Sequence, residues 1–201
     1  MKWSFWNVRG MNKRYKQKEI KLFLQLNKVS LAGLIETRVK EGNPTTIMNG
    51  IAPGWKRLHN YNDAANGRIW IIWDDSWYDV QQINRSAQLI HCQVKERSKG
   101  FQFNFSVIYG FNTIEQRKSL WTDMNKMVQN VTQPWLIIGD FYALFSPKDR
   151  LAGAPVNLNE IKDFADCVKV MGINELQWIV VTILGIISRL VMLESQAGLI
   201  E

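Results

Sequence analysis

Three polar residues stand where apolar runs stop. Lys2 to Val8 alternates around Trp3, Phe5 and Asn7 or their neighbours, as a strand does, and carries Asn7 near its tip. Val29 to Ile35 is a short apolar run closed by Glu36, and Trp135 to Ile138 leads through Gly139 to Asp140. Open sheets bind ligands beyond the ends of their strands, so polar tips of this kind converge on one cleft. Two carboxylates and an amide are the oxygen donors that a hard divalent cation such as Mg²⁺ takes, with waters completing its shell. With a basic surface around it, the natural substrate of such a site is a phosphate ester. Taken singly, each acid could as well begin a loop or cap a helix. The three together make a site.

Positioning them requires a layered arrangement. Arg14 to Asn27 places Ile20, Phe23, Leu24 and Leu26 at roughly helical spacing among lysines, an amphipathic helix with a basic outer face. Strand, helix, strand is the opening of a layered α/β order. Gly42 to Gly54 is punctuated by Pro44 and Pro53 and reads as a loop region. Arg68 to Trp73 is a further buried strand. Ser86 to Val94 and Phe101 to Tyr109 alternate about a charged turn, which predicts a hairpin. Ile114 to Val128 reads as a second helix, and Leu158 to Val170 as a third, capped by Asn157 or Asn159. Hairpins mixed with crossovers favour two packed sheets covered by helices over one doubly wound sheet.

Composition narrows the class. A chain of 201 residues, 46% hydrophobic, supports one sizeable core. Charged residues at 21%, without enrichment in Pro or Gly, give no indication of disorder. The excess of 25 Lys and Arg over 18 Asp and Glu gives +7, which suits a polyanion such as nucleic acid, or simply a basic soluble surface. Cys92 and Cys167 lack the spacing of a disulfide framework or zinc site. No signal peptide is recognisable, which points to a nuclear or cytoplasmic protein. The apolar segment Trp178 to Leu193 carries Arg189 and falls short of the ~20 residues of a spanning helix, so stable membrane insertion is not expected. No obligate protein partner is implied. His91, on an alternating strand, reads as a sheet-surface residue before a catalytic one, and His59 as a loop residue.

Four motifs occur in a recognisable order: Trp6-Asn-Val-Arg-Gly10, Leu34-Ile-Glu-Thr-Arg38, Val107-Ile-Tyr-Gly-Phe-Asn112 and Ile138-Gly-Asp-Phe141. On these the chain resembles the endonuclease/exonuclease/phosphatase superfamily, Mg²⁺-dependent phosphodiesterases related to apurinic endonucleases. The runs Gly10 to Glu41 and Tyr109 to Arg117 are similar to the endonuclease domain of plant LINE-type (non-LTR) retrotransposons. The resemblance implies an α+β fold, a four-layer α/β/β/α sandwich of two packed mixed β-sheets flanked by helices. It implies a DNA substrate, hence a nuclear location, and Mg²⁺ or Mn²⁺ as cofactor. By matching motifs, Glu36 is the metal-binding glutamate and Asn7 its supporting asparagine. Tyr109 and Asn112 neighbour the scissile phosphate, and Asp140 orients or activates the attacking water. Lys13, Arg14 and Lys16 are candidate contacts to nucleic-acid phosphates, or a solvated helix start.

Two departures bear on activity. The superfamily places asparagine after Gly-Asp-Phe or Gly-Asp-Leu, and here Tyr142 stands there. A phenol cannot reproduce the compact donor–acceptor geometry of an amide. The resemblance covers residues 1–178; the later Thr-Trp-x-Asn, Ser-x-x-Asp and Ser-Asp-His motifs, the last with a catalytic histidine, do not follow. Residues 179–201 form a divergent apolar tail whose abrupt onset suggests an out-of-frame or mis-spliced end. The expected sandwich is therefore incomplete at its C-terminus, with uncovered edges for which the apolar tail can substitute in part. The expectation is a retrotransposon-derived DNA endonuclease with impaired or lost activity. The alternatives are a catalytically dead nucleic-acid-binding remnant and a non-functional decayed product.

Overall fold

A computed structural model describes residues 2–40, 42–64, 68–143, 158–172, 174–175 and 189–193. The first strand, β1 (Lys2–Asn7), crosses through helix α1 (Arg14–Leu26) to β2 (Val29–Ile35), which lies parallel to it. Helix α2 (Pro44–Ile51) and strand β3 (Lys56–His59) follow, then β4 (Ile69–Trp73), which pairs antiparallel with both β2 and β3. These strands form one sheet in the order β1-β2-β4-β3.

The second sheet begins with β5 (Tyr78–Arg85), β6 (Leu89–Glu96) and β7 (Gln102–Tyr109), an antiparallel meander. Helix α3 (Ile114–Val128) crosses over to β8 (Trp135–Asp140), which runs parallel to β7. Helix α4 (Leu158–Met171), β9 (Asn174–Glu175) and β10 (Arg189–Leu193) complete the order β5-β6-β7-β8-β10-β9. The apolar tail does substitute for sheet cover: Arg189–Leu193 pairs antiparallel with Trp135–Gly139. Among the described residues no helix is long and apolar enough to cross a membrane.

The layers follow from which faces are apolar. Ile20, Leu24, Ile47, Met48 and Ile51 of α1 and α2 pack on Ala32, Leu34, Trp70 and Ile72 of the first sheet. The opposite face of that sheet, Leu31, Ile35, Ile69 and Ile71, meets Ile90, Cys92, Val94, Phe105, Val107 and Ile138 of the second. Leu120, Trp121, Met124, Phe164 and Cys167 of α3 and α4 then cover Leu89, Ile108, Trp135 and Ile137. Each fully buried large side chain contributes about 1.5–3 kcal/mol, so every layer is held by several such groups. The expected four-layer α+β sandwich is what forms.

The sheets meet closely at Gly33. A Cβ there would lie 2.6 Å from a Val107 methyl, a separation real side chains do not reach. Gly33 therefore sets how near the two sheets, and the tips they carry, can come.

Three elements differ from expectation. The Gly42–Gly54 segment contains α2, with Pro44 in its first turn, where a missing N–H costs nothing. Eight residues with Pro and Gly at both ends are too short to show a helical period against turn signals. Strands β3 and β5 have mostly polar outward faces, which hide the apolar alternation of a strand. His59 consequently ends a strand and does not sit in a loop; its ring lies tilted against Tyr61, with centroids 4.6 Å apart. For α4, Asn159 lies inside the helix, and Asn157 lies outside the described residues.

Candidate active site

Strands β1, β2, β7 and β8 all end at the same edge of the sandwich. Asn7 pairs with Ile35, and Tyr109 with Asp140, so the tips of each sheet are level. Met11 and Gly10 donate backbone hydrogen bonds to Thr37 and Glu36, lacing the loop after β1 to the loop after β2.

Glu36 is the centre of the constellation. Its Oε1 accepts from Asn7 Nδ2 at 2.9 Å and its Oε2 from Arg38 Nη2 at 2.7 Å. Burial pushes its carboxyl up, but hydrogen bonds from Asn7, Arg38 and Tyr109, with the Arg38 charge, outweigh it and hold the pKa below the ordinary value. Glu36 is thus kept as a carboxylate. The Asn7 amide oxygen is itself fixed by the Arg9 N–H at 3.2 Å.

Asp140 behaves in the opposite sense. Burial raises its pKa, the Glu36 charge adds to this, and the hydrogen bond from Tyr142 N–H to Oδ1 at 3.2 Å opposes it. Its place is fixed from behind by Phe141, which stacks on Phe164 at 5.0 Å beneath α4. Gly110 N–H donates to the Asp140 carbonyl at 2.8 Å, and a Cβ on Gly110 would lie 2.5 Å from the Phe141 carbonyl oxygen. Only glycine allows the two tips this approach.

Tyr109 pairs with Asp140 along β7 and β8, and its side chain reaches Glu36. Its hydroxyl hydrogen-bonds Glu36 and Tyr142, and burial, those bonds and the Glu36 charge together raise its pKa. It remains a protonated donor. Asn112, three residues further on, is exposed, with its carbonyl accepting from Arg117 Nη1 at 2.9 Å. Lys13 and Arg14 are exposed at the start of α1, whereas Lys16 is committed to Glu19 at 2.8 Å and lies over Trp6.

Strain collects here. Arg9, Glu36, Arg38 and Tyr142 all have φ near +50°, and among the described non-glycine residues Lys28 alone shares that conformation elsewhere. Such residues cost about 1–3 kcal/mol each and persist where the surroundings over-determine them, commonly at functional sites.

Several contributors were not picked out from the sequence. Arg38 lies within a quoted motif but carried no assigned role. Gln88 is buried: its carbonyl accepts from Tyr109 N–H, its Oε1 from Phe111 N–H at 2.7 Å, and its Nε2 donates to Gln116 and Ser119. It clamps the whole Tyr109–Asn112 loop against α3, and nothing in a lone glutamine before a strand announces that. His91 proves buried, its Nδ1 2.7 Å from Ser106 Oγ and its ring 5.0 Å from Trp135. Burial alone lowers its pKa to about 4, so it is a neutral core histidine.

No family model matches the chain, and neither does any curated protein. Solved structures do. The endonuclease domain of TRAS1, a telomere-specific non-LTR retrotransposon, superposes with a TM-score of 0.70 over 94% of this chain and 83% of that domain, at 13% identity. The fold is that of the endonuclease/exonuclease/phosphatase proteins. AP endonuclease LMAP from Leishmania major shares this endonuclease/exonuclease/phosphatase fold with a TM-score of 0.65, at 10% identity over 86% of this chain and 67% of that one. So does a mannosyl-6-phosphatase from Bacteroides thetaiotaomicron, with 0.57 at 12% identity over 86% and 71%. Nucleases and a sugar phosphatase on one fold leave the substrate to be argued from the site.

Proposed function

We propose that the chain is a retrotransposon-derived, Mg²⁺-dependent DNA endonuclease of the endonuclease/exonuclease/phosphatase type, acting in the nucleus and slowed by Tyr142. The observation that carries this is the meeting of Asn7, Glu36, Tyr109 and Asp140 at one sandwich edge, with opposite pKa shifts on the two acids. Phosphodiester hydrolysis needs one group kept anionic for a cation and another basic enough to take a proton from water. Glu36 and Asp140 divide those tasks. The domain in this reading comprises residues 1–178, and 179–201 is an out-of-frame tail that lends β10 to the sheet.

The donor set fits a hard cation. Glu36 is ionised, Asn7 stands beside it, and Arg38, with 66% of its side chain exposed, can swing away to free Oε2. Among the described residues no cluster of three or more His, Cys, Asp or Glu forms, so waters would complete the shell, as Mg²⁺ prefers. Bound Mg²⁺, or Mn²⁺, neutralises charge developing on the phosphate. Tyr109 donates its proton to a non-bridging phosphate oxygen. Asp140 accepts the proton of the attacking water as its oxygen bonds to phosphorus and the sugar oxygen departs.

One observation favours a second reading, a catalytically dead nucleic-acid-binding remnant. Tyr142 accepts a hydrogen bond from Tyr109 and so competes with a phosphate for that donor. Incubating the purified chain with supercoiled plasmid and Mg²⁺, beside Glu36→Ala, separates the two. Nicking lost in Glu36→Ala supports the endonuclease; a gel shift without nicking in either protein supports the remnant.

A further inference from the structure

Arg68 bridges the two sheets beside Glu36. It immediately precedes β4, whose Ile69 pairs with Ile35, and its carbonyl accepts from Thr37 N–H at 3.4 Å. Its backbone is therefore fixed one strand away from the carboxylate. The side chain reaches across to the second sheet, where the guanidinium carbon lies 5.4 Å from the centre of the Tyr109 ring and 5.3 Å from that of Phe111. The residue is half-buried.

Among the described residues its guanidinium is in no ion pair. Arg38, Arg85 and Arg97 pair with Glu36, Asp63 and Asp75, but among the described residues no carboxylate pairs with Arg68. Two aromatic faces hold a cation in place without using its N–H groups. The N–H fork of a guanidinium so held matches the oxygens of a phosphate. A pre-positioned fork flanking the tyrosine of the site has the chemistry to grip a second anionic group.

We infer that Arg68 is a substrate-binding residue that holds a DNA backbone phosphate next to the one facing Tyr109. This rests on the endonuclease reading. Phe111 and Tyr109 keep the guanidinium aimed, and Gln88 keeps Phe111 in place through its backbone N–H.

The test is a salt titration of the full chain with a labelled double-stranded oligonucleotide, read by fluorescence anisotropy in the presence of a chelator so that no cleavage occurs. Losing one phosphate contact lowers the slope of log affinity against log salt by about 0.9. Arg68→Gln is expected to show that change, with affinity reduced about tenfold at fixed salt, in line with one lost charge-assisted contact. Arg68→Lys should retain the slope while binding more weakly than wild type. Thermal melting of each variant guards against a folding effect. An unchanged slope in Arg68→Gln, with or without a fall in melting temperature, overturns the inference while leaving the endonuclease reading intact. A wild-type chain that binds no DNA removes both.

Discussion

The Tyr142 ring stands edge-on to that of Tyr109, with centroids 5.8 Å apart and planes at 72°. It does so from a left-handed backbone, φ +48°. The Tyr109 hydroxyl has one proton and two acceptors, the Glu36 carboxylate and the Tyr142 oxygen. Tyr142 thus competes with Glu36 for the one proton that Tyr109 can donate.

The backbone gives a first prediction. Left-handed conformation costs a residue with an ordinary side chain about 1–2 kcal/mol, and asparagine tolerates it best. Tyr142→Asn and Tyr142→Ala lose the same ring contact, so their difference isolates the backbone. Urea denaturation should find the asparagine variant more stable than the alanine one by about 1 kcal/mol.

The two acids predict opposite pH behaviour. Glu36 has a folded pKa below its ordinary value, so its contribution is present above the ordinary carboxylate range and is lost as pH falls through the folded pKa. Asp140 has a raised pKa, so its contribution is present at low pH and is lost as pH rises through the folded pKa. Glu36→Gln should therefore lower stability at neutral pH and flatten the loss on acidification. Asp140→Asn should raise stability at neutral pH and steepen that loss. Denaturation midpoints at neutral pH and in mild acid give both signs.

Gln88 predicts a stability loss with a kinetic consequence. Gln88→Leu preserves bulk but leaves the Phe111 N–H without its acceptor, which costs about 1–3 kcal/mol. The Tyr109 loop then loosens, and a misplacement of about 1 Å costs on the order of a hundredfold in rate. Denaturation measures the first, and single-turnover cleavage the second.

Glycine positions predict a contrast. A Cβ on Gly139 would fall 2.2 Å from the Ile108 carbonyl oxygen, which is backbone and cannot turn aside. Gly139→Ala should destabilise by about 1–3 kcal/mol, as overpacking does. Gly42→Ala, where nothing lies within 4 Å, should change the melting temperature little.

Much of this was readable in the chain. Apolar runs that end in Glu36 and Asp140 were legible because burial on both faces removes polar residues until the strand leaves the sheet. Helix α3 was legible to the residue, since Leu120, Trp121 and Met124 recur on one side. Strands β3 and β5 were not, because their outward residues, such as Lys56, Gln81 and Gln82, interrupt the apolar signal. Gln88 and Arg68 were beyond reach for a different reason. Their roles depend on partners 23 and 41–43 residues away, Phe111 on the one hand and Tyr109 with Phe111 on the other, which only the pairing of strands brings near.

In the proposed endonuclease, Glu36 holds the cation on which phosphodiester cleavage depends. This is tested most directly by single-turnover nicking of supercoiled plasmid with protein in excess, titrated with Mg²⁺, for wild type and Glu36→Ala. The expected result is slow nicking that rises with Mg²⁺, stops on chelation and is absent in Glu36→Ala. Nicking that proceeds equally in Glu36→Ala, or that ignores Mg²⁺, contradicts it.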